Sequence, residues 1–293
     1  MVSTRARRFL QVDVFADRPG AGNPLAVVLD ADHLDAAAMQ RIAAWTNLAE
    51  TTFLLPPTEP GADYRVRIFT TRQEIAFAGH PSIGSAHAAV AAGVCTARDG
   101  ALLQQCQAGL LPIRCEDDGA YSVRVPRSRI VRYADAADTA LQRALGDAVR
   151  GALAPALVEG GRRWWLAELA DAGAVRGMQP DSAAIATLAA ETASLGLCVF
   201  ARNERGDASG ELVVRAFPLG VGIAEDPASG AANAAIAAFL DEAGALGSLG
   251  DAYLASQGRE IGRDARLALR LDSERQVWVG GQCRTVISGS LRW

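Results

Sequence analysis

One segment occurs twice in this chain, half a chain length apart. Residues 81–90 read PSIGSAHAAV and residues 227–236 read PASGAANAAI. Aligned without a gap, they share the proline, the glycine and three alanines, five of ten positions, at an offset of 146 in a chain of 293 residues. Upstream, Arg67-Ile68-Phe69 echoes Arg215-Ala216-Phe217. Proline suits the first position of a helix, where its missing N–H would be unpaired anyway. A glycine in the first turn removes a side chain where something comes close. The remaining first-turn N–H groups and the helix dipole favour an anion such as a carboxylate. A duplicated helix start of this kind predicts two similar domains related by a pseudo-two-fold, with an anion-attracting cleft between them.

The hydrophobic periodicity around the repeat agrees with a duplication. Strands are expected over residues 8–16, 25–29, 50–55, 64–69, 101–105, 110–115 and 121–125, and helices over 35–45 and 81–92. After Pro126 the pattern begins again. Strands fit 129–133, 163–169, 196–202, 211–217, 265–271, 276–280 and 283–292, and helices fit 138–145, 181–190 and 227–243. Strands dominate each half with a few helices inserted, an α+β pattern rather than strict βαβ alternation. The expected domains are residues 1–128 and 129–293.

Composition removes several chemistries. The chain contains no lysine, so all 29 Lys-plus-Arg residues are arginine. That excludes a Schiff-base lysine, a pyridoxal phosphate anchor and the Gly-Lys-Ser/Thr of a phosphate loop. Net charge is −4 without a basic stripe, which argues against nucleic acid and for a small-molecule partner. Five cysteines without a Cys-x-x-Cys pair suit reduced thiols in the cytoplasm rather than a disulfide framework or a zinc site. No apolar run suggests a signal peptide or a membrane span. Gly20-Ala21-Gly22 lacks the third glycine of a dinucleotide-binding turn.

Several segments together resemble the PhzF-like phenazine-biosynthesis family, related in fold to diaminopimelate epimerase. They are Val12-Asp13-Val14-Phe15, Gly22-Asn23-Pro24-Leu25-Ala26-Val27-Val28, the stretch Trp45 to Phe53, Arg67-Ile68-Phe69-Thr70, Phe77-Ala78-Gly79-His80-Pro81, Glu225-Asp226-Pro227-Ala228-Ser229-Gly230, and Gln257-Gly258 to Gly262-Arg263. The resemblance spans the chain. It implies two similar α+β domains, each a curved sheet around a central helix, with the active site in the cleft between them and no metal or organic cofactor. It implies isomerisation of trans-2,3-dihydro-3-hydroxyanthranilate or a related small carboxylate, a proton being taken from one ring carbon and returned to another by a glutamate that matches Glu50. Because the family contains dimers, a homodimer belongs to the same expectation.

The residues themselves fit such chemistry. Glu50 opens a strand among Leu48, Thr52, Phe53 and Leu54, where partial burial disfavours the carboxylate and raises its pKa, as suits a group that takes and returns one proton. His80 precedes Pro81 at a helix start, placed either to contact substrate and shuttle a proton or to act as a turn residue. Asp226 is its second-half counterpart and reads as the N-cap of the helix beginning at Pro227, with a substrate contact added by the resemblance. Glu50, His80 and Asp226 are therefore the expected catalytic residues, and Gly79, Ser82, Ser229, Gly230 and Ala231 the expected substrate-binding ones. Histidine spacing gives no metal site.

Three positions depart from the family pattern. Ala231 stands where the phenazine enzyme has serine, Ala49 where serine is common, and Ser82 in place of threonine. Two alternatives stay open: a non-catalytic ligand-binding member of the family, and an amino-acid epimerase or racemase. The latter needs a cysteine at each helix start, where this chain has His80-Pro81-Ser82 and Asp226-Pro227-Ala228.

Overall fold

The computed structural model describes residues 5–203 and 210–293. It divides into two compact units, Met1–Arg124 with Gly280–Trp293, and Val125–Val279. The first carries β1 (Ala6–Val14), β2 (Asn23–Val28), α1 (Ala36–Thr46), β3 (Glu50–Leu55), β4 (Tyr64–Thr70), β5 (Glu74–Ile75), α2 (Gly79–Ala91), β6 (Ala101–Cys106), β7 (Gly109–Cys115) and β8 (Tyr121–Arg124). The second carries β9 (Arg129–Tyr133), α3 (Thr139–Leu145), β10 (Ala156–Glu159), β11 (Arg163–Glu168), α4 (Ala172–Gly177), α5 (Ser182–Thr192), β12 (Leu197–Arg202), β13 (Leu212–Phe217), α6 (Gly230–Glu242), β14 (Ala252–Gln257) and β15 (Ala265–Leu271). Strand β16 (Val277–Gly281) runs over the boundary, and β17 (Cys283–Arg292) belongs to the first unit.

The two units repeat one succession of strand pairings. In the first, β17–β1 and β1–β2 are antiparallel, β2–β3 parallel, β3–β4 antiparallel, β4–β6 parallel and β6–β7 antiparallel. In the second, β9–β10 and β10–β11 are antiparallel, β11–β12 parallel, β12–β13 antiparallel, β13–β14 parallel and β14–β15 antiparallel. The place that β9 fills beside β10 is filled beside β1 by the last strand of the chain. The expected division into 1–128 and an unbroken 129–293 therefore differs from the structure. The unit boundary falls at Arg124/Val125, and residues 280–293 return to the first unit because β1 binds β17 along its whole length, from Ala6–Arg292 to Val14–Cys283.

Each sheet surrounds one helix. Helix α2 packs against β1, β2, β3, β4, β6, β8 and β17, and α6 against β9, β10, β11 and β15. Ten of thirteen residues are buried in both helices, so they are enclosed on most sides. Alanine, glycine and serine make up most of α2, and alanine with glycine most of α6, which lets the strands close in. Gly84 shows how tightly. A Cβ there would lie 2.6 Å from Leu25 Cδ2 and 2.7 Å from Val14 Cγ2, below any real contact distance. What the repeated glycine admits in the first unit is thus the sheet itself.

The opposite sheet faces carry the other helices. Helix α1 covers Val28, Phe53 and Phe69 with Met39, Ile42 and Ala43. Helices α3, α4 and α5 cover Trp165, Val199, Val213 and Phe217 with Leu141, Leu145, Val175, Ile185 and Leu188. Asp35 caps α1 by accepting from the Ala38 N–H at 2.7 Å, and Asp181 caps α5. Strands β5, β10 and β14 and helix α4 are elements that hydrophobic periodicity did not pick out. Strand β5, strand β10 and helix α4 are short, and β10, buried at three of its four residues, carries no alternation to read. Among the described residues no helix is long and apolar enough to cross a membrane.

The contact at Gly84 gives the first prediction. Gly84→Ala should lower stability by about 1–3 kcal/mol, the usual effect of overpacking a filled core, read as a lower urea midpoint at unchanged slope. An unchanged midpoint would mean that α2 has slack against β1 and β2.

Candidate active site

Strand alternation decides where Glu50 points. Successive side chains of β3 face opposite sides, so Glu50, Thr52 and Leu54 share one face and Thr51, Phe53 and Leu55 the other. Phe53 lies in the α1 cluster, and Thr51 Oγ1 meets Thr46 Oγ1, at the end of α1, at 2.7 Å. Thr52 faces α2, accepting from Ser85 Oγ at 2.9 Å. Glu50 therefore also faces α2, two residues nearer the start of its strand, level with the first turn of the helix. There His80 Nε2 lies 3.4 Å from Glu50 Oε2.

The two side chains differ in exposure. His80 is nearly enclosed, whereas the Glu50 side chain keeps 17 % of its surface. Burial pushes the His80 imidazole down from its ordinary 6.5 to about 3, so the ring is neutral at physiological pH. The contact is then not an ion pair but a neutral imidazole against a carboxyl group. One ring nitrogen of neutral histidine donates and the other accepts, so Nε2 can serve either state of Glu50 according to tautomer. At 3.4 Å the approach is longer than a good hydrogen bond, as is common before substrate tightens a site.

Below this pair the helix start is anchored from inside. Ser82 is fully buried, its Oγ accepting from Gln104 Nε2 at 3.0 Å, and Gln104 Oε1 accepts from the Tyr64 hydroxyl at 3.1 Å. The Ser82 N–H donates to the Ala78 carbonyl at 3.2 Å. Both polar groups are engaged inside the unit, so the structure gives Ser82 an anchoring place. Gly79 and His80 form the first two helical positions, and Pro81 is the third rather than the first. Proline fits there too, because the first-turn N–H groups have no intrahelical acceptor.

The second unit starts its helix differently. The aligned Pro227 lies ahead of α6, which begins at Gly230, and the N-cap is Ser229, whose Oγ accepts from the Ala232 N–H at 3.3 Å. The expectation that Asp226 caps the helix is corrected. Its backbone is held extended by a bridge to Ala216, its N–H donating to the Ala216 carbonyl at 2.9 Å, so the chain turns three residues later. Asp226 Oδ1 instead accepts from the Ala228 N–H at 3.1 Å.

Gln257 ties this turn together. Its Nε2 donates to the Asp226 carbonyl at 2.7 Å, and its Oε1 accepts from the Ser229 N–H at 3.1 Å and from Asn233 Nδ2 at 2.8 Å. Gly230 is buried and Ala231 exposed, at the first two positions of the helix. The structure thus brings Glu50, His80, Gly79 and Ser82 together in the first unit, and Asp226, Ser229, Gly230 and Ala231 together in the second. Gln104 and Gln257 were not singled out for this tethering. A buried glutamine near the end of a strand is the signal that could have found them, since buried polar groups are hydrogen-bonded.

Cys198 sits fully buried in β12. Burial, and then the Asp226 charge, push its thiol well above the ordinary range. It is not at a helix start, and its thiolate is disfavoured. Among the described residues no three His, Cys, Asp or Glu side chains are grouped to hold a metal.

A family model described as phenazine biosynthesis-like protein, PhzC-PhzF, matches residues 12–289. The chain belongs to the PhzF family. This PhzF-family chain is 35% identical over 292 residues to "Antisense-enhancing sequence 1" of Schizosaccharomyces pombe, covering 96% of this chain and 97% of that one. It is 34% identical over 270 residues to a trans-2,3-dihydro-3-hydroxyanthranilate isomerase of Pseudomonas aeruginosa, covering 90% of each. In fold it matches the PhzF-family phenazine biosynthesis protein of Bacillus anthracis with a TM-score of 0.84 at 23% identity, over 99% of this chain and all of that one. The fold is the diaminopimelate epimerase-like α+β class, and the protein is a PhzF-like isomerase.

The neutral His80 has a consequence for acid stability. Its folded-state value lies below the ordinary one, so as pH falls the unfolded chain binds the proton first. Stability should therefore drop as pH falls from about 6.5 and level off below about 3. His80→Gln should flatten the denaturation midpoint across that window relative to wild type. Parallel pH profiles for the two proteins would contradict a buried neutral His80.

Proposed function

We propose that this PhzF-family protein is a cofactor-independent isomerase that moves a proton within a small carboxylate, with Glu50 as the proton carrier. The observation that carries the reading is the pair itself, a partly open glutamate 3.4 Å from a buried neutral histidine at the start of the central helix. Glu50 removes a proton from one carbon, and the electron pair left behind shifts through the substrate. Glu50, open enough for its acquired proton to exchange with water, then protonates another carbon, so atoms and charge balance without an oxidant or a second substrate. His80 Nε2 steadies the carboxyl group in both states. Asp226 is proposed as the substrate contact from the second unit. The first-turn N–H groups at Gly79 and His80, and at Gly230 and Ala231, are proposed to favour the substrate's carboxylate.

The name of the Pseudomonas aeruginosa relative makes trans-2,3-dihydro-3-hydroxyanthranilate the first substrate to try. Ala231 is exposed and offers a methyl group where the phenazine enzyme has a hydroxyl, so the substrate that this site fits best lacks a partner for that hydroxyl. The epimerase reading finds no support, because neither helix start carries a cysteine and Cys198 is buried in β12. Five free cysteines fit a reducing compartment such as the cytoplasm.

The test is proton exchange in heavy water, offering trans-2,3-dihydro-3-hydroxyanthranilate and a panel of cyclic and amino carboxylates. Wild type should place deuterium on a substrate carbon. Glu50→Gln should lose roughly 10²- to 10⁴-fold in rate, the range for a lost general base. Equal exchange by the variant would remove Glu50 from the chemistry. Asp226→Asn should lower kcat/KM by roughly 10- to 100-fold, as for a lost charged hydrogen bond to substrate.

A further inference from the structure

Each unit carries the same ion-pair device ahead of its central helix. In the first, Arg67 stacks over Phe69 with its guanidinium 5.2 Å from the ring centre, and it grips Glu74 with two bonds of 2.7 Å. In the second, Arg215 stacks over Phe217 at 5.0 Å and grips Glu225 with bonds of 3.0 and 2.9 Å. The surroundings differ. Arg67 and Glu74 keep 28% and 27% of their side-chain surface, but Arg215 and Glu225 only 6% and 8%. Arg215 Nη1 also donates to the carbonyls of Val175 and Met178, at 3.3 and 2.6 Å, at the end of α4. The second pair is a dry, fully bonded version of the first.

Glu225 immediately precedes Asp226, whose own backbone is pinned on both sides, by Ala216 at its N–H and by Gln257 at its carbonyl. Two anchors thus hold Asp226 itself, and a third holds the residue before it. We propose that the Arg215–Glu225 pair, together with Gln257, is a positioning element that fixes Asp226 and through it sets the rate of turnover. This rests on the reading that Asp226 contacts substrate. Breaking one partner of a buried pair leaves an uncompensated charge, whereas a pair about a quarter exposed is partly screened by water, so the two devices should respond differently.

The experiment has two arms. Hydrogen exchange reads the Asp226 and Ser229 amides, which donate to Ala216 and Gln257, in wild type, Glu225→Gln, Arg215→Lys and Glu74→Gln. The second arm measures kcat and KM for trans-2,3-dihydro-3-hydroxyanthranilate, including the double variant Glu225→Gln/Asp226→Asn. Melting curves confirm that each variant is folded, and Arg215→Lys serves as the milder variant because it keeps the charge.

Glu225→Gln should speed exchange of both amides about tenfold or more. It should also lower kcat by roughly 10- to 100-fold with KM within about threefold, the scale on which misplacement of a reacting group acts. Arg215→Lys should fall between wild type and Glu225→Gln, and Glu74→Gln should change neither amide. In the Asp226→Asn background, Glu225→Gln should cost less than about threefold, because its effect passes through Asp226. Unchanged amide exchange in Glu225→Gln would overturn the proposal, and so would a loss that simply adds to that of Asp226→Asn. A wild-type protein inactive on this substrate would count against the functional reading, while the amide arm still decides the positioning.

Discussion

Everything in this molecule follows from enclosing a helix inside a curved sheet, once in each unit. A helix buried on most sides does not present the usual single polar and single apolar face; it is apolar or small on most sides. The contacts of Gly84 with Val14 and Leu25 show how little space remains. Close packing of this kind also fixes the helix along its axis, and so fixes the height at which its first turn meets the strands. That height determines which strand residue faces His80, and it is Glu50.

Enclosure carries a cost in polar groups, and the two units meet it alike. Gln104, near the end of β6, donates to Ser82, while Gln257, at the end of β14, accepts from Ser229 and Asn233. These strands hold equivalent places in the repeated pairing order, so the same solution was kept in both halves while the outward-facing residues diverged. In the first unit the helix begins early and its first turn carries a buried histidine. In the second an extended bridge at Asp226 delays the helix to Gly230. One inherited frame thus supports two different chemical groups.

Much of this was legible in the sequence. The gapless match of residues 81–90 with 227–236 announced the duplication, and alternation located most strands. The shared proline nevertheless misled about the helix starts, because proline is compatible with several first-turn positions and with the turn before them. That Glu50 and His80 belong to one site was expected only by resemblance. Thirty residues separate them, and local pattern has no means of relating a strand's first residue to a distant helix. The return of β17 to the first unit was hidden for a similar reason. A strand's own sequence records its two faces but not its neighbour.

The sequence by itself determined the chemistry that is excluded, through the absence of lysine, and the chemistry on offer, a Glu, a His and an Asp beside duplicated helix starts. It also determined the fold class, because periodicity and small-residue helices are local properties. Only the tertiary structure decided that Glu50 and His80 touch, that His80 is neutral, that Ser82 faces inward and that Asp226 leaves the capping to Ser229. Those outcomes depend on burial and on hydrogen bonds between distant segments, which come into being when the sheet closes around its helix.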